Sequence, residues 1–123
     1  MMLRMHAPRY AIARLAPEAA VPAWALQGGF HSVTKTPDEL SVVTEESWVP
    51  ADVEAARGWM LFELVGPFDF DQVGILGAVI GPLTAAAIPV MVIATFGTDF
   101  LLIRAAEEAK AILEEAGLRV TSS

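Results

Sequence analysis

The chain has 123 residues, enough for one compact domain or two very small ones that share a core. Its hydrophobic fraction is 54% and its formal net charge −7, from 8 Lys+Arg against 15 Asp+Glu, so it can bury a core easily but repels nucleic acid and anionic membrane surfaces. It has no cysteine, which excludes disulfides, thiolate metal sites and a cysteine nucleophile, and fits a reducing, cytoplasmic setting.

Met1 to Arg14 carries Arg4, His6, Pro8 and Arg9 and has no continuous apolar core, so it does not read as a signal peptide. Tyr10 to Leu15 is a strand candidate, and Pro22 to Leu26 a single helical turn broken by Gly28 and Gly29. Phe30 to Lys35, a Pro37-Asp38 turn and Leu40 to Thr44 predict a hairpin. Pro50 to Arg57 is polar and alanine-rich and predicts a short helix ended by Gly58.

Trp59 to Val65 predicts the next strand, closed by Gly66-Pro67. From Gln72 to Thr98 no residue is charged, which is long enough for a membrane span of about 20 residues. Pro82 and Pro89 interrupt that run, Ile88 to Phe96 is rich in β-branched residues, and the flanking charges are Asp69, Asp71 and Asp99 rather than Lys or Arg. The run therefore reads as a buried helix and a buried strand, with a single membrane span as the weaker alternative. Asp69 or Asp71 is the expected cap of a helix reaching about Ala87. Leu76, Val79, Ile80 and Leu83 form its core stripe, and Gly74, Ala78, Gly81 and Ala85 a stripe of small residues.

The strand Ile88 to Phe96 is apolar on both faces, which predicts contact with the other half or with another chain; with the small-residue stripe of the helix it points to a homodimer. After Gly97-Thr98, Phe100 to Ala105 returns as a strand. The last helix buries Ala105, Ala109, Ile112, Leu113 and Ala116 and ends at Gly117, and Leu118 to Thr121 adds a final strand. The second half thus has the order strand, helix, strand, strand, helix, strand, which is ferredoxin-like, and the fold class is α+β with antiparallel sheets and helices packed on one face. The predicted division is residues 1–58 and 59–123, the first a shortened version of the second.

Little in this sequence points to catalysis. His6 and His31 lack ligand spacing; no GxSxG elbow, phosphate loop or paired nucleophile and base is present; neither a metal nor another cofactor is called for. Trp24, Trp48 and Trp59 read as core anchors. One constellation remains. Asp69-Phe70-Asp71-Gln72 opens the long helix, and Thr95-Phe96-Gly97-Thr98-Asp99 forms a strand turn. Helix N-terminal amides suit a carboxylate, and Asp99 suits an ammonium, so the pair matches both ends of an amino acid.

The segments Phe30 to Val43, Gly58-Trp59, Gly66 to Leu76, Gly81-Pro82-Leu83, Ile88-Pro89-Val90 and Ala94 to Phe100 together resemble the ACT-domain proteins related to the cytosolic arginine sensors and to aspartate-kinase regulatory domains. Nearly the whole chain after Tyr10 takes part, and the short bacterial members are the nearest in plan. The resemblance implies tandem ferredoxin-like ACT modules, no catalytic domain, and an amino-acid site between modules. It places Asp69, Asp71, Gln72, Gly74, Leu76, Thr95, Phe96 and Asp99 on one wall, and Pro89 and Val90, from a second chain, on the facing wall. Gln72 stands where the sensors carry an acidic residue, and Ala94 where they carry serine, so the resemblance does not carry arginine over as the ligand. A structural ACT dimer without a small ligand is the alternative reading.

Overall fold

A computed structural model describes residues 1–66, 68 and 73–123. Its elements are strands β1 (Met2–Leu15), β2 (Ser32–Lys35), β3 (Leu40–Glu45) and β4 (Ala55–Leu64), helix α1 (Ile75–Ala85), strands β5 (Met91–Ala94) and β6 (Asp99–Ile103), helix α2 (Ala106–Glu115) and strand β7 (Arg119–Ser122). The chain forms two compact units, one from Pro8–Trp59 and one from Met1–Ala7 with Met60–Ser123. Residues 1–7, placed with the N-terminal module in the sequence reading, cluster with the second unit because Met2–Met5 pair with Arg119–Ser122 in a parallel ladder.

In the unit Pro8–Trp59, β3 pairs with β1 from Tyr10 opposite Glu45 to Leu15 opposite Leu40, and with β2 from Ser32 opposite Val43 to Lys35 opposite Leu40. The β2–β3 hairpin turns where Pro37-Asp38 predicts it. The Thr36 hydroxyl accepts the N–H groups of Asp38 and Glu39 at 3.2 Å, which is how a short side chain stands in for backbone in a turn. The expected turn of helix is a 3-10 turn, Ala23–Leu26. Ala11, Ala13, Ala25, Val42 and Val49 make the small core. The buried Thr44 hydroxyl donates to the Gln27 carbonyl at 3.0 Å, so its polar atom stays satisfied.

The helix expected over Pro50 to Arg57 is absent. Val53 N–H closes a turn on the Pro50 carbonyl, and β4 begins at Ala55 and runs through Gly58. Local alanine propensity is a weak preference, and sheet pairing overrides it here. Arg14 fastens this segment: its N–H donates to the Glu54 carbonyl at 2.9 Å and its guanidinium to the Glu54 carboxylate at 2.7 Å. Gly58 continues the strand at φ +85° while its N–H meets a Glu46 carboxylate oxygen at 2.7 Å.

The other unit contains the order β4-α1-β5-β6-α2-β7 that the sequence predicts. Its strands lie in the order β5-β6-β4-β1-β7. The start of β1 lies beside β4, with Val65 N–H donating to the Met2 carbonyl at 2.9 Å. Met60 stands opposite Ile103 and Glu63 opposite Phe100; Met91 stands opposite Leu102 and Ala94 opposite Asp99. The core is built from one face of these strands (Leu3, Met5, Phe62, Leu64, Leu101, Ile103 and Val120) against Val79 and Leu83 of α1 and Ala106, Ala109 and Leu113 of α2.

Helix α1 starts later than the aspartates predict. Its N-cap is Gly74, in the left-handed region at φ +81° with no side-chain cap. The Asp69 and Asp71 capping expectation falls at residues 69–72, outside the described residues. The first amides of α1 belong to Ile75 and its successors. The core stripe is as expected, with Val79 and Leu83 fully buried, while the small residues Gly77, Ala78, Gly81 and Ala85 are exposed. The helix is 11 residues long, about 16 Å at 1.5 Å per residue, and no described helix is long and apolar enough to cross a membrane. The strand expected over Ile88 to Phe96 is shorter, Met91–Ala94, and lies at the sheet edge with Met91 and Val92 exposed. Ile88 is still part of the helix exit, its N–H bonded to the Leu83 carbonyl, and Thr95 has already entered the next turn.

Candidate functional site

Within the larger unit, the start of α1 and the β5–β6 turn close around a cavity of about 390 Å³, within the usual size range of small-ligand pockets. One side is Gly74 to Gly77. The other is Ala94 to Asp99, and Phe68 completes the lining.

The helix side is positioned by Gly74. Its left-handed backbone turns the chain into α1, and Ala78 N–H makes the first helical bond to the Gly74 carbonyl at 2.9 Å. Helix geometry therefore leaves the N–H groups of Ile75, Leu76 and Gly77 to find partners outside the helix. They form the positive end of the helix dipole, where an anion is favoured.

Two threonines fix the turn side. The Thr95 hydroxyl donates to the Thr98 carbonyl at 2.8 Å and accepts the Thr98 N–H at 3.3 Å. The Thr98 hydroxyl donates to the Leu64 carbonyl, tying the turn to the end of β4. Phe68 N–H donates to the Gly97 carbonyl at 3.2 Å. This approach explains Gly66, where an added Cβ would lie 3.1 Å from the Gly97 oxygen and 3.0 Å from the Phe68 ring. Asp99 is the first residue of β6, partly buried, and the only charged side chain among the described lining residues. At the mouth, Phe96 is 84% exposed, far more than an aromatic side chain in a closed core.

Of the residues singled out from sequence, the structure brings Gly74, Leu76, Thr95, Phe96 and Asp99 to this cavity. Asp69, Asp71 and Gln72 lie outside the described residues. Pro89 and Val90 do not line the cavity of their own chain: Pro89 is exposed between α1 and β5, and Val90 packs on the core. Phe68, Ile75, Gly77 and Thr98 line it without having been proposed as ligand residues. The Thr95-x-x-Thr98 spacing across Gly97 was the available signal for Thr98, because a threonine hydroxyl can close a turn on the backbone three residues on.

His6 has no ligand partner at short spacing in the sequence, but the fold gives it neighbours. Its Nε2 is 2.9 Å from a Glu63 carboxylate oxygen that also receives Arg4 at 3.3 Å, and its Nδ1 is 3.4 Å from the Ser123 hydroxyl. Among the described residues no group of three His, Cys, Asp or Glu side chains could hold a metal ion.

The ACT-domain family profile matches residues 54–113, and a separate N-terminal-domain profile matches residues 8–52. No curated protein matches the chain. A crystal structure of a protein from Agobacterium tumefaciens is 41% identical, with a TM-score of 0.93 over 99% of this chain and 92% of that one. A Vibrio cholerae protein described as a possible transport protein is 22% identical, with a TM-score of 0.74 over 93% of this chain and 88% of that one. Aspartate kinase from Clostridium acetobutylicum, described as an allosteric enzyme, shares the fold at 14% identity and a TM-score of 0.64, over 94% of this chain and 34% of the kinase. The ferredoxin-like order and these matches converge on one assignment: this is an ACT-domain protein, its ACT domain spanning residues 54–113, and it shares its fold with aspartate kinases.

Proposed function

We propose that this protein is a non-catalytic regulatory module that binds an amino acid in the cavity between α1 and the β5–β6 turn. The observation that carries the reading is the pairing of opposite electrostatics across one pocket. Ile75, Leu76 and Gly77, at the positive end of α1, and the acidic Asp99 all line it. An amino acid has the matching pair of charges.

The reading includes a homodimer. Edge strand β5 presents Met91 and Val92 to solvent, and α1 presents Gly77, Ala78, Gly81 and Ala85 beside an open cavity. Exposed edges with apolar side chains seek a partner, and small residues let a second backbone come close. A second copy would bring its Pro89 and Val90 to the open side of the pocket. The division into an N-terminal shortened ACT-like module and a C-terminal ACT module belongs to the same reading.

A thermal-shift screen against the standard amino acids tests the proposal, with light scattering on the same sample. A stabilising amino acid and twice the 13.1 kDa chain mass are expected. A dimer that no amino acid stabilises would favour a purely structural ACT dimer.

A further inference from the structure

The composition of the pocket carries information about which amino acid it accepts, an inference that rests on the amino-acid reading above. From Gly58 to Ile103 the sequence contains no Lys, Arg or His, while Glu63, Asp69, Asp71 and Asp99 are acidic. That stretch supplies every described lining residue and the whole loop between Gly66 and Gly74.

The amides at the start of α1 can serve one carboxylate. A second carboxylate on the ligand would lose water, gain no cation and face Asp99. The remaining side chains that meet the cavity include Phe68, Ile75, Leu76, Ala94 and Phe96, which are apolar. The two threonine hydroxyls are already engaged with backbone carbonyls. We propose that the pocket selects an α-amino acid with a neutral, apolar side chain and rejects one with a second carboxylate.

Titration calorimetry on the full chain with leucine, valine, aspartate, glutamate, lysine and arginine tests this. Leucine or valine is expected to bind at least about tenfold more tightly than aspartate or glutamate, tenfold being about 1.4 kcal/mol. Ala94→Lys, at an exposed β5 position on the pocket wall, adds the missing base and is expected to narrow or reverse that gap. Tighter binding of an acidic or dibasic amino acid by the wild type overturns the selectivity and leaves the amino-acid reading standing. No heat with any of the six overturns that reading and the selectivity with it.

Discussion

Ala87 offers a stability test free of packing effects. It sits at the exit of α1 with φ +58°, in the left-handed region that L side chains avoid. Three bonds hold it there: Ala86 N–H to the Pro82 carbonyl at 3.2 Å, Ala87 N–H to Thr84 at 2.9 Å and Ile88 N–H to Leu83 at 3.0 Å. Helices ordinarily place glycine at this position. The left-handed conformation costs an L-residue roughly 1–2 kcal/mol. Replacing Ala87 with glycine removes that cost but loosens the unfolded chain by about 0.4–1 kcal/mol. Ala87 is exposed, so its methyl contributes little packing. Ala87→Gly should therefore stabilise by about 0.5–1 kcal/mol, read as a higher urea midpoint at unchanged slope. The mirror experiment is Gly117→Ala at the end of α2. There φ is +91° and an added Cβ meets nothing within 4 Å, so the strain of roughly 1–2 kcal/mol, offset by about 0.4–1 kcal/mol from the stiffer unfolded chain, should destabilise by about 0.5–1 kcal/mol. A destabilised Ala87→Gly together with a neutral Gly117→Ala would refute the reasoning.

The other expectations concern the turn, a buried phenol and the dimer. Gly66→Ala should destabilise the chain and weaken any ligand, because its Cβ would press on the Gly97 carbonyl; an unchanged melting temperature would contradict the close approach. Burial, with a smaller contribution from Glu45, pushes the Tyr10 phenol up to about 12. An acid whose folded value is raised binds its proton longer in the native state, so this contribution is full below pH 10 and lost as pH rises through about 12. Unfolding midpoints from pH 9 to 12 should show that fall, and Tyr10→Phe should flatten it. Met91→Lys on the β5 edge should shift light scattering from dimer to monomer without unfolding the chain; an unchanged dimer would remove β5 from the interface.

Periodicity made the second unit readable. Leu76, Val79, Ile80 and Leu83 recur at helical spacing and do face the core, and the β4-to-β7 order follows from alternating strand and helix signals. The start of β1 was not readable, because Met2 to Met5 pair with β7 more than 100 residues away, and no local pattern reports such a partner. Ala55 to Arg57 misled for a related reason, since alanine favours helix locally but the strand there gains its bonds from distant chain. The pocket was half legible. Charge and turn residues marked Thr95 and Asp99, and the resemblance marked Gly74, which is the N-cap of α1. Phe68 and Ile75 enter the site only through tertiary packing, and apolar side chains carry no sign of that in sequence.

The most direct test of the account is titration calorimetry with leucine on the wild type and on Asp99→Ala, with light scattering on both. The wild type should bind. Asp99→Ala should lose about 1.5–3 kcal/mol of binding free energy, the range for a hydrogen bond to a charged group, and should keep the mass of the wild type. Equal leucine affinity in both proteins, or no binding by either, would contradict the account.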